Sequence, residues 1–207
     1  MIYNKIKNTL YKFLNHGSIT RCTLDPILVP ILKKMNSDSK ILDVGGKYSP
    51  YKKYMKSKDI KILDIMEDYK PDYCCDIHDM RIIPDESFDV VLATEVLEHC
   101  YAPHLVVDEI RRVLKRGGAC ILTTRFIHPI HSDPHDYFRF TCEGLKHLFR
   151  NYSEVEVQCH GNRLHVICKT LMFFPLNILI YPLNPIISKV IVGKTNYALG
   201  YVVYAKK

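Results

Sequence analysis

The sequence predicts an α/β fold in which helices cover both faces of a mostly parallel β-sheet. Short segments such as Ile41-Leu42-Asp43-Val44 are almost continuously apolar, as strands are when both faces of their sheet are buried. Residues 102–115 repeat apolar side chains at helical spacing and lie between two such segments. Strands that alternate with helices at this rhythm form parallel sheets with right-handed crossover connections.

Seven segments carry the pattern of a strand. They are 41–44, 60–64, 73–76, 88–93, 119–124, 155–159 and 199–205. Helices are predicted over most of 1–38, over 102–115 and over 141–149. A second helix within 1–38 is expected to begin around Thr23 to Pro26, because Thr23 or Asp25 can cap it and proline is tolerated in the first turn.

Glycines mark two further boundaries. Gly117-Gly118 is predicted to end the helix over 102–115, and a helix is expected after Gly45-Gly46, where the first strand closes. The glycines at that turn let the backbone approach a ligand closely.

Length and composition predict a single domain. The chain has 207 residues, of which 47% are hydrophobic and 25% charged, as in ordinary globular domains. Within it we expect an N-terminal helical cap over 1–38, a core over 39–160, an apolar insert or lid over 161–198 and a final strand over 199–207. The 8 cysteines form no Cys-x-x-Cys pair, which favours free thiols in a reducing compartment over disulfides or a zinc ribbon.

The stretch 171–192 is strongly apolar and carries no charge from Leu171 through Ser188. Its prolines interrupt any single membrane-spanning helix. Three interpretations remain open: a lid over the site, a segment lying in a membrane interface, and an ordinary insert between the last strands. The formal net charge of +7 favours an anionic partner such as a phosphate-bearing molecule, a nucleic acid or a membrane surface, but a generally lysine-rich composition explains it equally well.

Acidic residues stand at the ends of three successive predicted strands. Asp43 precedes Gly45-Gly46, Asp64 ends the second strand, and Asp76 ends the third. In open α/β sheets ligands bind at the carboxyl ends of the strands, and a carboxylate about 20 residues after the glycine turn can accept hydrogen bonds from a ribose diol. The alternative is that aspartates at strand ends are common turn residues.

The order of these motifs resembles class I S-adenosylmethionine-dependent methyltransferases, and within them the type 11-like, small-molecule branch. The resemblance covers residues 38–160 approximately and continues through Ser87-Phe88-Asp89-Val90-Val91, Glu95-Val96-Leu97-Glu98-His99 and Arg112-Val113-Leu114-Lys115-Arg116-Gly117-Gly118. It implies a Rossmann-like seven-stranded sheet whose last strand is antiparallel, with S-adenosylmethionine as the cofactor of the core.

The resemblance also implies roles for individual residues. Gly45 and Gly46 would lie beside the methionine moiety, with Asp43 in the same loop, and Asp64 would hold the ribose. Asp76 and Ile77 would flank the adenine. The chain departs from the usual glycine loop, since Lys47 and Ser49 replace the later glycines. The variant Gly-Gly-x-x-Ser-Pro-Tyr is similar to one found in methyltransferases of polysaccharide biosynthesis.

Two clusters could supply a base for a hydroxyl acceptor. The first is Glu95, Glu98 and His99, which would share one face of a helix. A catalytic or cofactor-binding role for Glu95 and a catalytic role for His99 are our predictions. Two alternatives remain open. The three residues could hold a divalent cation, as similar residues do in some quinone O-methyltransferases, or they could simply be acidic residues favoured at the start of a helix. We predict that no metal is bound.

The second cluster is the loop 128–141, which is rich in histidine and resembles a segment of the polysaccharide-linked methyltransferases from His135 onward. His135 is the preferred general base. Arg139, Tyr137 and His131 are predicted to bind the acceptor, with Arg139 gripping a phosphate or carboxylate bidentately.

These features together predict methyl transfer to a small-molecule or glycan/lipid-linked acceptor, with oxygen as the expected methylated atom. The sequence has no stretch in which basic and aromatic residues alternate, so we predict no nucleic-acid partner. The alternative function is a non-catalytic, methyltransferase-like module that binds a partner or a membrane surface through 171–192. The predicted location is the cytoplasm, with peripheral membrane contact through that segment, and the sequence leaves the oligomeric state open.

Overall fold

The structure is a computed structural model that describes residues 18–47, 49–131, 135–171, 183–189 and 197–207. The seven strands are β1 Ile41–Val44, β2 Ile60–Asp64, β3 Tyr73–Cys74, β4 Phe88–Thr94, β5 Leu114–Arg125, β6 Glu154–His160 and β7 Gly200–Lys206. The α-helices are α1 Ile19–Lys33, α2 Pro103–Val113, α3 Cys142–Leu148, α4 Arg163–Leu171 and α5 Asn184–Ile187. Short 3₁₀ helices occupy Lys52–Tyr54, Glu67–Tyr69 and Leu97–His99.

The strands form one sheet in the order β3-β2-β1-β4-β5-β7-β6. The first five pair in parallel, while β7 runs antiparallel to both β5 and β6. The predicted seven-stranded, mostly parallel sheet with an antiparallel last strand is therefore confirmed. Because β1 pairs with both β2 and β4, the strand order reverses there, and the carboxyl ends of β1 and β4 form the switch point where ligands bind in such sheets.

Both faces of the sheet are buried because successive side chains of a strand point to opposite sides. Ile41 packs with Leu24 and Leu28 of α1 on one face. Leu42 packs with Val106 and Ile110 of α2 on the other. This arrangement explains the nearly continuous apolar sequence of the strands and holds their carboxyl ends rigidly in place.

Helix α1 begins earlier than predicted. Its first residue is Ile19, and the Ser18 hydroxyl accepts a hydrogen bond from the Arg21 amide at 3.3 Å. The predicted start at Thr23 to Pro26 is wrong, and Pro26 lies inside the helix. Burial of leucines at about 1.5–3 kcal/mol each can offset the roughly 3 kcal/mol that an interior proline costs.

Two glycine predictions are also wrong. No helix follows Gly45-Gly46 directly, because Lys47 and Ser49 adopt positive φ angles of 42° and 44° that a right-handed helix cannot continue. Gly117-Gly118 does not end α2, which stops at Val113, and both glycines lie within β5. The predicted start of α3 is confirmed, since the Thr141 hydroxyl accepts from the Gly144 amide at 3.1 Å.

Parts of the predicted organisation are not tested. Residues 1–17 of the helical cap and most of the apolar stretch 171–192 lie outside the described residues. The single domain and its internal boundaries therefore stay predictions. Among the described helices, none combines the length and the apolar character needed to cross a bilayer.

Candidate cofactor and acceptor site

The end of β1 carries a buried carboxylate beside a tight glycine turn. Asp43 is 1% exposed, and its Oδ2 accepts a 2.5 Å hydrogen bond from the Ser49 hydroxyl. Its other oxygen, Oδ1, is buried and has no hydrogen-bond partner among the described residues. Burial raises the pKa of Asp43 to about 6, against the opposing effect of the Ser49 hydrogen bond. Ser49 thus occupies a position usually held by glycine and partly satisfies the carboxylate.

The two glycines of this turn have no room for a side chain. Gly45 has a φ of +63°, and a Cβ there would lie 2.6 Å from a methyl carbon of Val96. A Cβ on Gly46 would lie 2.9 Å from the carboxyl carbon of Asp43. The turn therefore exposes backbone directly next to the Asp43 carboxylate, which suits close approach of a ligand.

Lys47 does not plug this turn. Its side chain is exposed, and its ammonium lies 5.5 Å from the centre of the Tyr69 ring. Its amide donates to Asp64 Oδ2 at 3.4 Å, while the Met66 amide donates to Asp64 Oδ1 at 3.0 Å. Each oxygen of Asp64 has capacity to accept a further hydrogen bond, so the carboxylate is held in place but not saturated.

Asp76 lies two residues beyond β3 rather than at its end. Its Oδ1 accepts from the amide of His78 at 2.9 Å and lies 2.6 Å from His78 Nδ1. The imidazole of His78 stacks on Tyr101 with the ring centres 4.0 Å apart. Ile77 is buried, whereas Ile65, directly after Asp64, is 62% exposed. Ile65 thus offers an apolar surface next to the strand ends, which the sequence analysis did not single out.

Glu95, just beyond β4, is tied to the end of β5. It has a φ of +57°, its Oε1 accepts from the Thr123 hydroxyl at 2.9 Å, and its Oε2 accepts from Arg125 Nε at 2.5 Å. Burial alone would raise its pKa, but the Arg125 guanidinium and the hydrogen bonds lower it overall. Glu95 is therefore ionised and already paired. It also lies outside the 3₁₀ helix Leu97–His99, so the predicted shared helix face with His99 is wrong.

Glu98 is completely buried on the same turn. Its Oε2 accepts from the Thr124 hydroxyl at 2.9 Å, and Arg125 Nε lies 3.7 Å from its Oε1. Oε1 has no hydrogen-bond partner among the described residues. Burial, and next the negative charge of Glu95, raise the pKa of Glu98 well above its usual range. Two carboxylates thus share one guanidinium, and the proton that remains is held by Glu98.

The loop after β5 orients a histidine towards this turn. His131 Nδ1 lies 3.1 Å from Asp136 Oδ2, and Asp136 is clamped by both terminal nitrogens of Arg139. Arg139, first among several causes, holds the pKa of Asp136 well below its usual range. Burial and Arg125 lower the pKa of His131, so its imidazole is neutral. Its Nε2 is buried without a hydrogen-bond partner among the described residues.

His99 connects the turn after β4 to the loop after β5. Its Nδ1 is hydrogen-bonded to the carbonyl oxygen of His135, and its ring meets the His131 ring edge to face, with centres 4.8 Å apart. One ligand-capable atom each from Glu98, His99 and His131 lies within 4.8 Å of the other two. This set differs from the predicted cation alternative, which included Glu95. The guanidinium of Arg125 beside Glu98 opposes a cation there.

His135 and Tyr137 lie at the outer side of the same loop. The imidazole of His135 is exposed and tilted against the Tyr137 ring at 5.7 Å. The amides of Tyr137 and Phe138 donate to the Glu98 carbonyl at 2.8 and 3.3 Å. The backbone of the loop is therefore fixed to the turn after β4, while the side chain of Tyr137 is 49% exposed.

A cavity of about 640 Å³ opens beside this loop. Its walls combine aromatic and aliphatic side chains with the basic residues Arg139 and Lys169, and they include one carboxylate, Asp136, which is paired with Arg139. Its size falls within the range of small-molecule sites. A larger groove, of about 1280 Å³, lies at the opposite, amino-terminal edge of the sheet, near Asp89 and Lys115, where no strand-end aspartate or loop histidine reaches it.

The structure thus brings the predicted residues together in two neighbouring groups. Asp43, Gly45, Gly46 and Asp64 surround the end of β1, with Asp76 and Ile77 farther along the same edge. Glu95, His99, His131, Arg139 and their partners surround the ends of β4 and β5. Sequence analysis missed Arg125, whose carboxylate partner Glu95 is distant along the chain, and Lys169, which lies on a later helix. It gave no role to Asp136 within the predicted loop cluster, although the partners of Asp136, His131 and Arg139, are close in sequence.

The fold is that of class I methyltransferases, as comparison with known proteins shows. A family model described as a methyltransferase domain matches residues 48–122. A methyltransferase from Archaeoglobus fulgidus that depends on S-adenosylmethionine aligns with a TM-score of 0.57 at 16% identity, over 88% of this chain and 91% of that one.

Two further solved structures show the same fold. The 1,6-didemethyltoxoflavin-N1-methyltransferase of Burkholderia thailandensis, solved with bound S-adenosylhomocysteine, has a TM-score of 0.56 at 15% identity, over 86% and 76% of the two chains. A chain from the complex of a Haloferax volcanii methyltransferase with its activator Trm112 has a TM-score of 0.62 at 13% identity, over 100% and 97%. The chain therefore has the fold of these methyltransferases, and residues 48–122 match a methyltransferase-domain model.

Proposed function

We propose that this enzyme transfers the methyl group of S-adenosylmethionine to a hydroxyl oxygen of a small-molecule or glycan/lipid-linked acceptor. The observation that carries the proposal is a pair of buried atoms, Glu98 Oε1 and His131 Nε2. Neither has a hydrogen-bond partner among the described residues, and both side chains belong to one cluster within 4.8 Å. A hydroxyl group, which both donates and accepts, matches such a pair.

The residues at the end of β1 fit the cofactor. Gly45 and Gly46 leave backbone exposed for the methionine moiety, and the free Oδ1 of Asp43 can accept from its ammonium group. Asp64 can accept hydrogen bonds from the ribose diol with the capacity that its two amide contacts leave. Asp76 and Ile77 are assigned to the adenine, for which the exposed Ile65 provides an apolar contact.

When bound, S-adenosylmethionine supplies a methyl group already activated on a sulfonium. The protein has to align the acceptor oxygen and remove its proton. We place the proton acceptor at His131 Nε2. The Asp136 carboxylate accepts a hydrogen bond from Nδ1–H of His131, which leaves the Nε2 lone pair free, and pairing with Arg139 keeps Asp136 ionised. The lowered pKa of His131 keeps the imidazole neutral and ready to accept the proton.

This assignment moves the base from His135 to His131. His135 is exposed, and it contacts the cluster through its carbonyl oxygen rather than its ring. His99 then serves to hold the loop and the His131 ring in position. Glu95, paired with Arg125, contributes a fixed negative charge near the end of β4, where the sulfonium methyl is expected.

The proposed class of acceptor is supported by sequence motifs and by the cavity rather than by the buried cluster. Gly-Gly-x-x-Ser-Pro-Tyr and the segment from His135 to Thr141 resemble polysaccharide-linked methyltransferases, and the cavity has the size and the aromatic walls of a small-molecule site. Peripheral membrane contact through 171–192 and a cytoplasmic location remain parts of the proposal. Sedimentation of the protein with anionic vesicles tests the membrane contact.

The proposal is tested by methyl transfer from labelled S-adenosylmethionine. The full chain is incubated with sugars, sugar phosphates, nucleotide sugars and polyprenyl-linked sugars, and the methylated atom is identified by mass spectrometry and NMR. We expect label on oxygen. Label on nitrogen or carbon would refute the oxygen assignment, and no transfer to any of these acceptors would refute the acceptor class. A parallel reaction with EDTA should run unchanged, whereas its loss would favour a cation at Glu98, His99 and His131.

A further inference from the structure

Lys169, on helix α4, is a basic residue that the site described so far does not use. Its side chain lines the 640 Å³ cavity and is only partly exposed. Among the described residues, no carboxylate lies within ion-pair distance of its ammonium group, although most other cations around the site are paired. Among the residues outside the described ranges, the sequence has one acidic residue, Asp133.

The surroundings of Lys169 make its charge costly. Burial, followed by the positive charge of Arg125, lowers the pKa of Lys169, with Glu95 opposing the shift. A partly buried ammonium without a counter-ion is destabilising relative to one in water. A ligand that brought a negative charge into the cavity would remove that cost, so the arrangement favours an anion.

The other basic residues of the cavity are less suited to hold that anion. Both terminal nitrogens of Arg139 are engaged by Asp136, which balances its charge. His128 Nε2 lies 2.8 Å from a terminal guanidinium nitrogen of Arg125, and its Nδ1 lies 2.9 Å from the carbonyl oxygen of Pro129. Burial and Arg125 lower the pKa of His128 to about 4, so the ring is neutral at pH 7. Among the described residues that line the cavity, Lys169 is therefore the cation whose charge no carboxylate balances.

We propose that Lys169 binds an oxyanion of the methyl acceptor, a phosphate or a carboxylate, inside the cavity, whose wall also includes Asp136, the hydrogen-bond partner of His131. The aromatic rings of Phe126, Tyr137 and Phe138 form the wall on which the uncharged part of the acceptor rests. This inference rests on the proposed function and narrows its acceptor class to anionic molecules. It also reassigns the anion contact predicted for Arg139, which instead positions Asp136.

The test is a calorimetric titration of the full chain saturated with S-adenosylhomocysteine. The probes are glucose, glucose 1-phosphate, UDP-glucose and glucuronate, which separate a neutral sugar, a phosphate monoester, a pyrophosphate diester and a carboxylate. The variant is Lys169→Gln. The matched control is Lys146→Gln, because Lys146 is exposed on α3 and pairs with Glu143.

We expect at least one anionic probe to bind and glucose not to bind. Lys169→Gln should weaken the binding of that probe roughly ten- to hundredfold, because a charge-assisted hydrogen bond is lost. Lys146→Gln should leave it unchanged. S-adenosylhomocysteine should bind equally to the three proteins, which shows that Lys169→Gln is folded.

The proposal is overturned if anionic probes bind no better than glucose, or if Lys169→Gln binds them as the wild type does, as it would if Asp133 neutralised the lysine. Either result leaves methyl transfer intact when neutral hydroxyl acceptors take up label. Conversely, tight anion binding that depends on Lys169 without any methyl transfer would support the anion subsite and refute the proposed reaction.

Discussion

The two halves of the carboxyl edge are built in different ways. Around the ends of β1 and β2, Asp43 bonds to Ser49 and Asp64 to Met66, groups close to them in sequence, and the most distant partner is the Lys47 amide, 17 residues before Asp64. Around β4 and β5, local contacts of Asp136 are combined with contacts between distant segments, as Glu95 is joined to Arg125 and Tyr137 to Glu98. The first half can therefore lose a single ligand contact without wider damage, whereas the second is a network whose parts depend on one another.

The largest expected effect is on the rate of methyl transfer. His131→Gln should lower kcat about 10²- to 10⁴-fold, because the group that accepts the proton is removed. The affinity for S-adenosylhomocysteine should stay unchanged, since His131 lies in the acceptor half. His147→Gln, at an exposed position on α3, is the control. An unchanged kcat for His131→Gln would return the base assignment to His135 or His99.

Arg125 should dominate the stability of the acceptor half. Arg125→Met leaves Glu95 and Glu98 buried without their shared cation, and we expect a loss of about 3–5 kcal/mol in the free energy of unfolding. Arg116→Met removes an exposed pair with Glu86 and should cost at most about 1 kcal/mol. Urea denaturation measures both.

The same variant has a predictable dependence on pH. In the wild type Glu98 alone holds a proton in the folded state, whereas without Arg125 the buried Glu95 is expected to hold one as well. Both protons are lost in the unfolded state, so the stability of the variant falls more steeply than that of the wild type as pH rises from 5 to 8. The loss caused by Arg125→Met should thus be larger at pH 8 than at pH 5. A loss of similar size at both values would show that the two carboxylates are not neutralised by Arg125.

In the cofactor half, Asp64→Ala should weaken the binding of S-adenosylhomocysteine by about 1–3 kcal/mol, because hydrogen bonds to a charged group are lost. Its stability should change little. Asp79→Ala, which removes an exposed carboxylate paired with Arg81, serves as the control. If Asp64→Ala destabilised the fold as much as Arg125→Met does, the contrast between the two halves would be wrong.

The smallest effect concerns Asp43. Its pKa of about 6 is raised by burial, and a bound ammonium group favours its ionised form. Binding of S-adenosylhomocysteine is then coupled to release of a proton, so affinity should increase about tenfold between pH 5 and pH 7.5 and level off above. Asp43→Asn should remove this dependence. Calorimetry across this pH range tests it, and an unchanged slope in the variant would exclude Asp43 from contact with the ligand.

The same contrast explains what sequence could predict. The strands and the places of Asp43, Gly45 and Asp64 at the strand ends were predictable, because apolar periodicity and strand-end turns depend on neighbouring residues. The partners of Glu95 and the place of Lys169 at the cavity were not. Glu95 meets Thr123 and Arg125, which lie 28 and 30 residues further along the chain. Such contacts form only when distant segments pack together, and the spacing of residues does not predict them. The prediction of a helix after Gly46 was wrong for a local reason, because Lys47 and Ser49 have positive φ angles.

Methyl transfer by this chain requires that the adenosyl cofactor binds at the switch point between β1 and β4. Calorimetric titration of the unmodified chain with S-adenosylhomocysteine measures this most directly. We predict one site per chain with a dissociation constant on the order of micromolar, about −8 kcal/mol. No binding at millimolar ligand would contradict the account and leave a methyltransferase fold without its cofactor.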